Sequence, residues 1–246
     1  MSVICPHCNS SFELMPMEEI INPTLTISRK IKERSSWEEI ADVINRGEAR
    51  RLFDIGDSIS CTLKNGKDVN FIITAINPYQ PNQVAFEFAD LLPDTKVMNN
   101  RNTNRGGWAM SAMKEYMKEV FALLPDDLQK VIVPRKITQK LSDGSQNSSE
   151  DNYLWLRSMT ESGRKYEADI DDVPFPFFTG EKSRVKELEG NGTYYYWLRS
   201  PYIGSATNFW LVNGNGGVNS SHYYGHYAYY AYGVCPCFFI GGEPNA

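Results

Sequence analysis

The chain has 246 residues, 41% of them hydrophobic and 22% charged, an ordinary composition for a folded protein with material for one large core or two small ones. A formal net charge of −5 and a pI near 5.3 exclude the broad basic footprint of a nucleic-acid binder. The N-terminus lacks a basic flank followed by an apolar run, and no apolar stretch reaches the roughly eighteen residues of a membrane span, so neither a signal peptide nor membrane insertion is expected.

Five cysteines do not read as a disulfide framework, which agrees with synthesis in a reducing cytoplasm. Residues 1–15 form a tip containing "ICPHC", where two residues separate Cys5 from Cys8, the spacing at which one turn presents two thiolates to zinc. This is half a site, because Cys61, Cys235 and Cys237 do not repeat the spacing. Zinc at Cys5 and Cys8, completed by His7 or by a second chain, stands against an unliganded tip; no other cofactor is implied.

From Pro16 to about Ser35 the apolar residues are scattered, as in a tether. "SSWEEIADVINRGEARRLF" then predicts a helix in which Ser36 caps, Glu39 completes a capping box, and Trp37, Ile40, Val43 and Ile44 share a face, with Gly47 ending or kinking it. Two alternating runs around Asn65 and Gly66 predict a hairpin with positive φ at both turn positions, and "QVAFEFADLL" predicts another strand. A further helix carries Trp108, Met110, Met113, Met117 and Phe121 at core spacing, and "DDLQKVIVPRKITQKL" passes from a short helix into a strand.

The polar run "SDGSQNSSEDN" from Ser142 to Asn152 predicts a loop, and beyond it strands and long irregular connections hold most of the aromatic residues. The expected fold class is α+β: a linker and entry helix at 16–52, one domain at 53–241, and a tail at 242–246. The tetrapeptide Trp-Leu-Arg-Ser occurs twice, at Trp155–Ser158 and Trp197–Ser200. It contains no nucleophile and base pair, so it reads as buried scaffold, with Arg157 and Arg199 held against an aromatic ring or a loop carboxylate. The run "HYYGHYAYYAY" from His222 to Tyr232 carries eight tyrosine or histidine rings in eleven positions, which an alternating strand cannot bury on one side. Tyrosine offers a large rigid surface with few torsions to freeze, so such a run suits a binding face.

"YWLRSP", "ATNFW", "NGNGGV" and the run ending "YGVCPCFFI" together resemble the C-type-lectin-fold variable proteins diversified by retroelements in gut bacteria and their phages, from about Phe53 to Ile240. The resemblance implies a loop-rich C-type-lectin-like fold with short antiparallel strands and two or more helices. It also implies a non-enzymatic, receptor or adhesion-type protein whose variable face at 211–232 is rewritten at template adenines. Val212, Val218, Ala228, Ala231, Gly233, Val234 and Pro236 match the fixed frame, with Ala228 and Ala231 pointing inward. Asn213, Asn215 and Asn219 stand as unmutated Asn codons; Leu211, Ser220, Ser221, His222, Tyr223, Tyr224, Gly225, His226, Tyr227, Tyr229, Tyr230 and Tyr232 are residues that such codons yield. The ligand implied is a protein, with glycan as the alternative, and carriage on a phage particle is open.

Cys235 and Cys237 depart from the family pattern. They leave two other readings: metal ligation with His222 or His226, and an oxidoreductase of the formylglycine-generating type that uses the two thiols. The tripeptide Glu243–Asn245 is similar to one that binds calcium in sugar-binding lectins, but here it trails the last strand with too few acidic neighbours for a calcium site.

Overall fold

In the computed structural model the described residues are 2–4, 11–13, 36–219 and 227–242, with the backbone alone for 2–4, 11–13 and Asn219. The core is organised on a six-stranded antiparallel sheet. Its order is Trp155–Leu156, Pro236–Gly241, Gln83–Phe88, Asp68–Ile76, Ser58–Thr62, and Ile132–Val133 also pairs with Pro236–Gly241. The two central strands, Gln83–Phe88 and Pro236–Gly241, are buried at every position, so both faces of the sheet are covered.

Strand alternation divides the work between those faces. Phe86 pairs with Phe238 across the two strands, and their rings stack at 5.2 Å. Trp37 closes over this face, meeting Phe71 edge-on at 5.6 Å and Phe86 at 6.0 Å. It does so from the start of the helix Trp37–Asn45, whose capping box of Ser36 and Glu39 forms as expected. Gly47 adopts φ +75° and separates this helix from the short one at Ala49–Leu52.

The opposite face carries buried charges beside aromatic rings such as Phe239 and Trp155, although it is fully enclosed. Glu87 pairs in register with Cys237. Its carboxylate accepts from Arg157 Nη1 at 2.6 and 2.8 Å and lies 2.9 Å from Lys186 Nζ. Burial alone would raise the Glu87 pKa, but the Arg157 and Lys186 charges offset this and hold it below the ordinary carboxylate value. The Arg157 guanidinium also lies 3.5 Å from the Phe178 ring centre and donates to the Tyr196 hydroxyl. Arg199, in the second Trp-Leu-Arg-Ser, reaches Glu161 Oε2 at 2.5 Å and pairs with Asp172, while Arg135 bonds the same two carboxylates. Beside them Asp169 accepts from the Ser200 hydroxyl at 2.5 Å and the Thr160 amide at 2.9 Å.

Smaller antiparallel sheets complete the architecture. Arg135–Lys140 lies between Gln146–Asn152 and Asp169–Ile170, Phe209–Val212 lies between Tyr196–Pro201 and Val218–Asn219, and Ala231–Tyr232 pairs with Lys96–Val97. The expectation of an α+β, C-type-lectin-like fold is corrected: among the described residues strands hold 34% and helices 19%, with four α-helices and several antiparallel sheets, so the protein is more β-rich than expected. Helical content is low because the periodic segments yield short helices, while stretches read as irregular find partners across the chain.

The clearest case is Gln146–Asn152, expected as loop, which is a strand paired with Arg135–Lys140. Asn152 anchors it by donating to the Arg135 carbonyl at 2.8 Å and accepting from Trp108 Nε1 at 2.8 Å. At the first hairpin Gly66 alone takes positive φ, in a turn closed by Gly66 N donating to Leu63 O at 2.8 Å, so the expected pair of positive φ values is also corrected. Met113 and Met117 are buried, whereas Met110 is 73% exposed because it lies in a 3-10 turn ahead of the helix Ala112–Leu123. Among the described residues no helix is long and apolar enough to cross a membrane.

Two outcomes follow from the enclosed charges. Glu87→Ala strands two buried cations and should cost about 3–5 kcal/mol in urea denaturation, whereas Cys237→Ala, which removes one thiol donor, should cost about 1 kcal/mol. Glu161, despite its burial, is brought by Arg199 and Arg135 to about 2 from 4.5, so its contribution is present above pH 4.5 and lost as pH falls toward 2. Burial and the nearby Asp172 charge push Asp169 up from 3.8 to about 7, so between these values the folded state binds the extra proton and stability declines as pH rises. Melting temperature should therefore peak near pH 4–5, and Asp169→Asn should flatten the decline toward pH 7.

Candidate ligand-binding face

The strand Tyr196–Pro201 is buried throughout, and the residues just before it emerge from the core: Tyr194 is half-buried and Tyr195 is 45% exposed. The segment ending the tyrosine run lies beside them. Gly233 N donates to Tyr195 O at 2.8 Å and Trp197 N donates to Gly233 O at 3.1 Å. Glycine is required at 233, because a Cβ there would overlap the Leu91 side chain and sit 2.9 Å from the Tyr195 carbonyl. Trp197 is buried, donates from Nε1 to Lys96 O at 2.9 Å, and receives the Tyr232 ring edge-on at 4.9 Å.

Ala228 is the second anchor. It is fully buried, its amide donates to Thr207 O, and its carbonyl accepts from Asn99 N, each at 2.9 Å. Around it Tyr227 is half-buried while Tyr229 and Tyr230 are exposed, with ring centres 4.6–6.0 Å apart. Tyr195 lies 6.1 Å from Tyr232. Tyr195, Tyr229 and Tyr230 thus stand exposed, with Tyr227 and Tyr232 half-buried beside them, over a backbone pinned from beneath.

Other expected site residues are placed differently. Leu211 is fully buried, a correction to its assignment to the face: it sits mid-sheet, paired with Trp197 on one side and Asn219 on the other. Asn213 builds a turn, its Oδ1 accepting from the amides of Asn215 at 3.0 Å and Gly217 at 2.9 Å. Asn215 is exposed at that turn, and Asn219 continues the strand backbone. Ala231 is exposed, contrary to the inward direction expected of it, because alternation that sends Tyr232 onto Trp197 sends Ala231 outward. Ser220, Ser221, His222, Tyr223, Tyr224, Gly225 and His226 lie outside the described residues, as do Cys5, His7, Cys8 and the tail from Glu243.

Cys235 and Cys237 are buried behind the face. Cys235 donates to Phe88 O at 3.2 Å and Cys237 to Glu87 Oε2 at 3.2 Å. Burial, with the Glu87 charge adding to it, pushes both thiols well above their ordinary pKa. That environment favours the protonated thiols, the opposite of what activates a reactive thiolate. Among the described residues no group of three or more His, Cys, Asp or Glu is arranged to hold a metal ion.

Residues 81–242 match a protein family described as a domain of unknown function, DUF6273, and this is more than half of the 246 residues. The chain belongs to that family. No curated protein and no solved structure matches it. The DUF6273 region takes in both Trp-Leu-Arg-Ser motifs, Glu87 and the tyrosine face, but not the hairpin Ser58–Ile76 or the helix carrying Trp37, which pack into the same core.

Sequence reasoning passed over Tyr194 and Tyr195, although the triplet of tyrosines ahead of Trp197 was their signal. If face and frame are separate, Tyr229→Ser with Tyr230→Ser should leave the melting temperature nearly unchanged, as for other exposed positions. Trp197→Ala should lower stability by about 3–5 kcal/mol in the same denaturation experiment.

Proposed function

We propose that this DUF6273 protein is a binding protein, receptor or adhesion-type in character, that presents a tyrosine-rich face to a protein ligand and whose outer positions are diversified by a retroelement. The observation that carries the reading is the grouping of exposed Tyr195, Tyr229 and Tyr230 with half-buried Tyr227 and Tyr232 above buried Trp197 and Ala228. Rings of this kind gain contact area at small entropic cost, and each one buried by a partner contributes about 1–3 kcal/mol, with a few dominating. The diversification half rests on residue type: the chain between Asn219 and Tyr227 and the tyrosines after it are residues reached from Asn codons, interrupted by frame residues such as Ala228 and Gly233.

The buried, protonated thiols favour this reading over cysteine chemistry. Selection of a displayed protein library against the full chain should yield binders that lose at least about tenfold in affinity when Tyr229 and Tyr230 are both changed to Ser. Binders indifferent to that change would sink the assignment, and selective retention on a glycan array without any protein binder would transfer the face to sugars. The diversification half is checked in the genome, where a near-identical, Asn-codon-rich repeat beside a reverse-transcriptase gene is expected.

A further inference from the structure

A second surface lies apart from the tyrosines. Between the hairpin tip around Asn65, the segment 88–94, the helix Ala112–Leu123 and the short strand Glu187–Leu188 with Glu189 runs a groove of about 410 Å³. Its floor is apolar, with Leu91 and Val120 buried and Val69 half-buried, and Leu123 is an exposed apolar residue at its edge. Its rim is acidic: Asp68, Asp90, Asp94, Glu187 and Glu189 line it against a single lysine, Lys67, already paired with Glu189 at 2.5 Å. Among the described residues Asp68, Asp90 and Glu187 face no basic side chain within ion-pair distance, and the one near Asp94, Lys96, is 3.9 Å away and leans over the Tyr116 ring. The depression continues past Pro93 and Asp94 to Tyr194, so it leads toward the tyrosine face without including it.

A groove of this size is in the range that buries a ligand, and its floor rewards apolar side chains. Its rim selects the sign of what accompanies them, because uncompensated carboxylates repel anionic partners and steer cationic ones. The carboxylates are spread along an apolar floor and do not converge on a point, as a metal ion would require. An extended peptide meets both demands at once, since successive side chains point to opposite sides: apolar residues enter the floor while Lys or Arg turn to the rim.

We propose that this groove is a docking site for an extended segment of a partner protein in which apolar residues alternate with Lys or Arg. The proposal is independent of the tyrosine face. The test is fluorescence anisotropy on the full chain with a labelled, acetylated peptide of alternating Leu and Lys, beside a Leu–Glu peptide and spermine as controls. Binding of the Leu–Lys peptide should weaken at least about tenfold between roughly 50 and 300 mM salt, and the Leu–Glu peptide should not bind. The double variant Asp90→Asn with Glu187→Gln should weaken binding at least about fivefold at unchanged melting temperature, as should Leu123→Lys at the groove's exposed apolar edge. The Tyr229→Ser, Tyr230→Ser variant should bind the peptide normally, so failure of the tyrosine reading and failure of this one are separately visible. Absence of Leu–Lys binding, equal binding of both peptides, or indifference to the groove variants overturns the proposal. Full displacement of the peptide by spermine would assign the groove to small polycations instead. Binding that emerges only after Arg29, Lys30, Lys32 and Arg34 are changed to Gln would assign it to the chain's own basic stretch.

Discussion

A carboxylate on the central strand of a closed sheet constrains everything packed around it, because an unpaired buried charge costs several kcal/mol. Glu87 occupies that position, opposite Cys237 and with no exposure to solvent beyond a trace. The cations that compensate it, Arg157 and Lys186, come from segments about 70 and 100 residues further along, neither of which belongs to a long regular element. The charge therefore does what backbone pairing does elsewhere: it specifies which irregular connection lies against which strand. Lys186 extends the effect by donating to the carbonyls of Phe88 and Ala89, which fixes the chain as it leaves the strand.

The repeated Trp-Leu-Arg-Ser makes sense in these terms. Arg157 serves Glu87 and Arg199 serves Glu161 and Asp172, so one short sequence is used twice to pair a guanidinium with carboxylates inside the molecule. The two copies are also joined directly, since Arg199 Nη1 donates to Leu156 O at 2.8 Å and Arg199 N to Arg157 O at 3.1 Å. Arginine suits the role because its planar fork bonds several acceptors at once and stays charged when buried. Such networks are weak evidence of net stability but strong determinants of register, as each donor has few places to go.

A frame held this way leaves its outer loops free of structural duty at some positions and not at others. Tyr229 and Tyr230 are exposed and lean on neighbouring rings, whereas Ala228 is fully buried and a Cβ at Gly233 would sit 2.9 Å from the Tyr195 carbonyl. Gly216 is similarly constrained, at φ +84° with the Glu181 carbonyl where a Cβ would lie. The tyrosine surface and the acidic groove consequently differ in kind: one presents neutral rings from loops, the other an apolar trough with a charged rim set between regular elements.

Local chemistry was readable directly. The capped helix at Trp37, the turn at Gly66, the strand Gln83–Phe88 and the guanidiniums facing carboxylates or a ring all follow from neighbours in sequence or from residue type alone. What depends on a partner far along the chain was not readable. The polar stretch Gln146–Asn152 became a strand because Arg135–Lys140 offered it an edge, and Leu211 and Ala231 exchanged their expected directions because Trp197 lies where it does. By itself the sequence determined which residues can cap, turn, bury or carry charge, since those are properties of single side chains and short spacings. Tertiary structure alone decided which tyrosines reach the surface and which carboxylates are left to rim a groove, because exposure is set by what other segments cover.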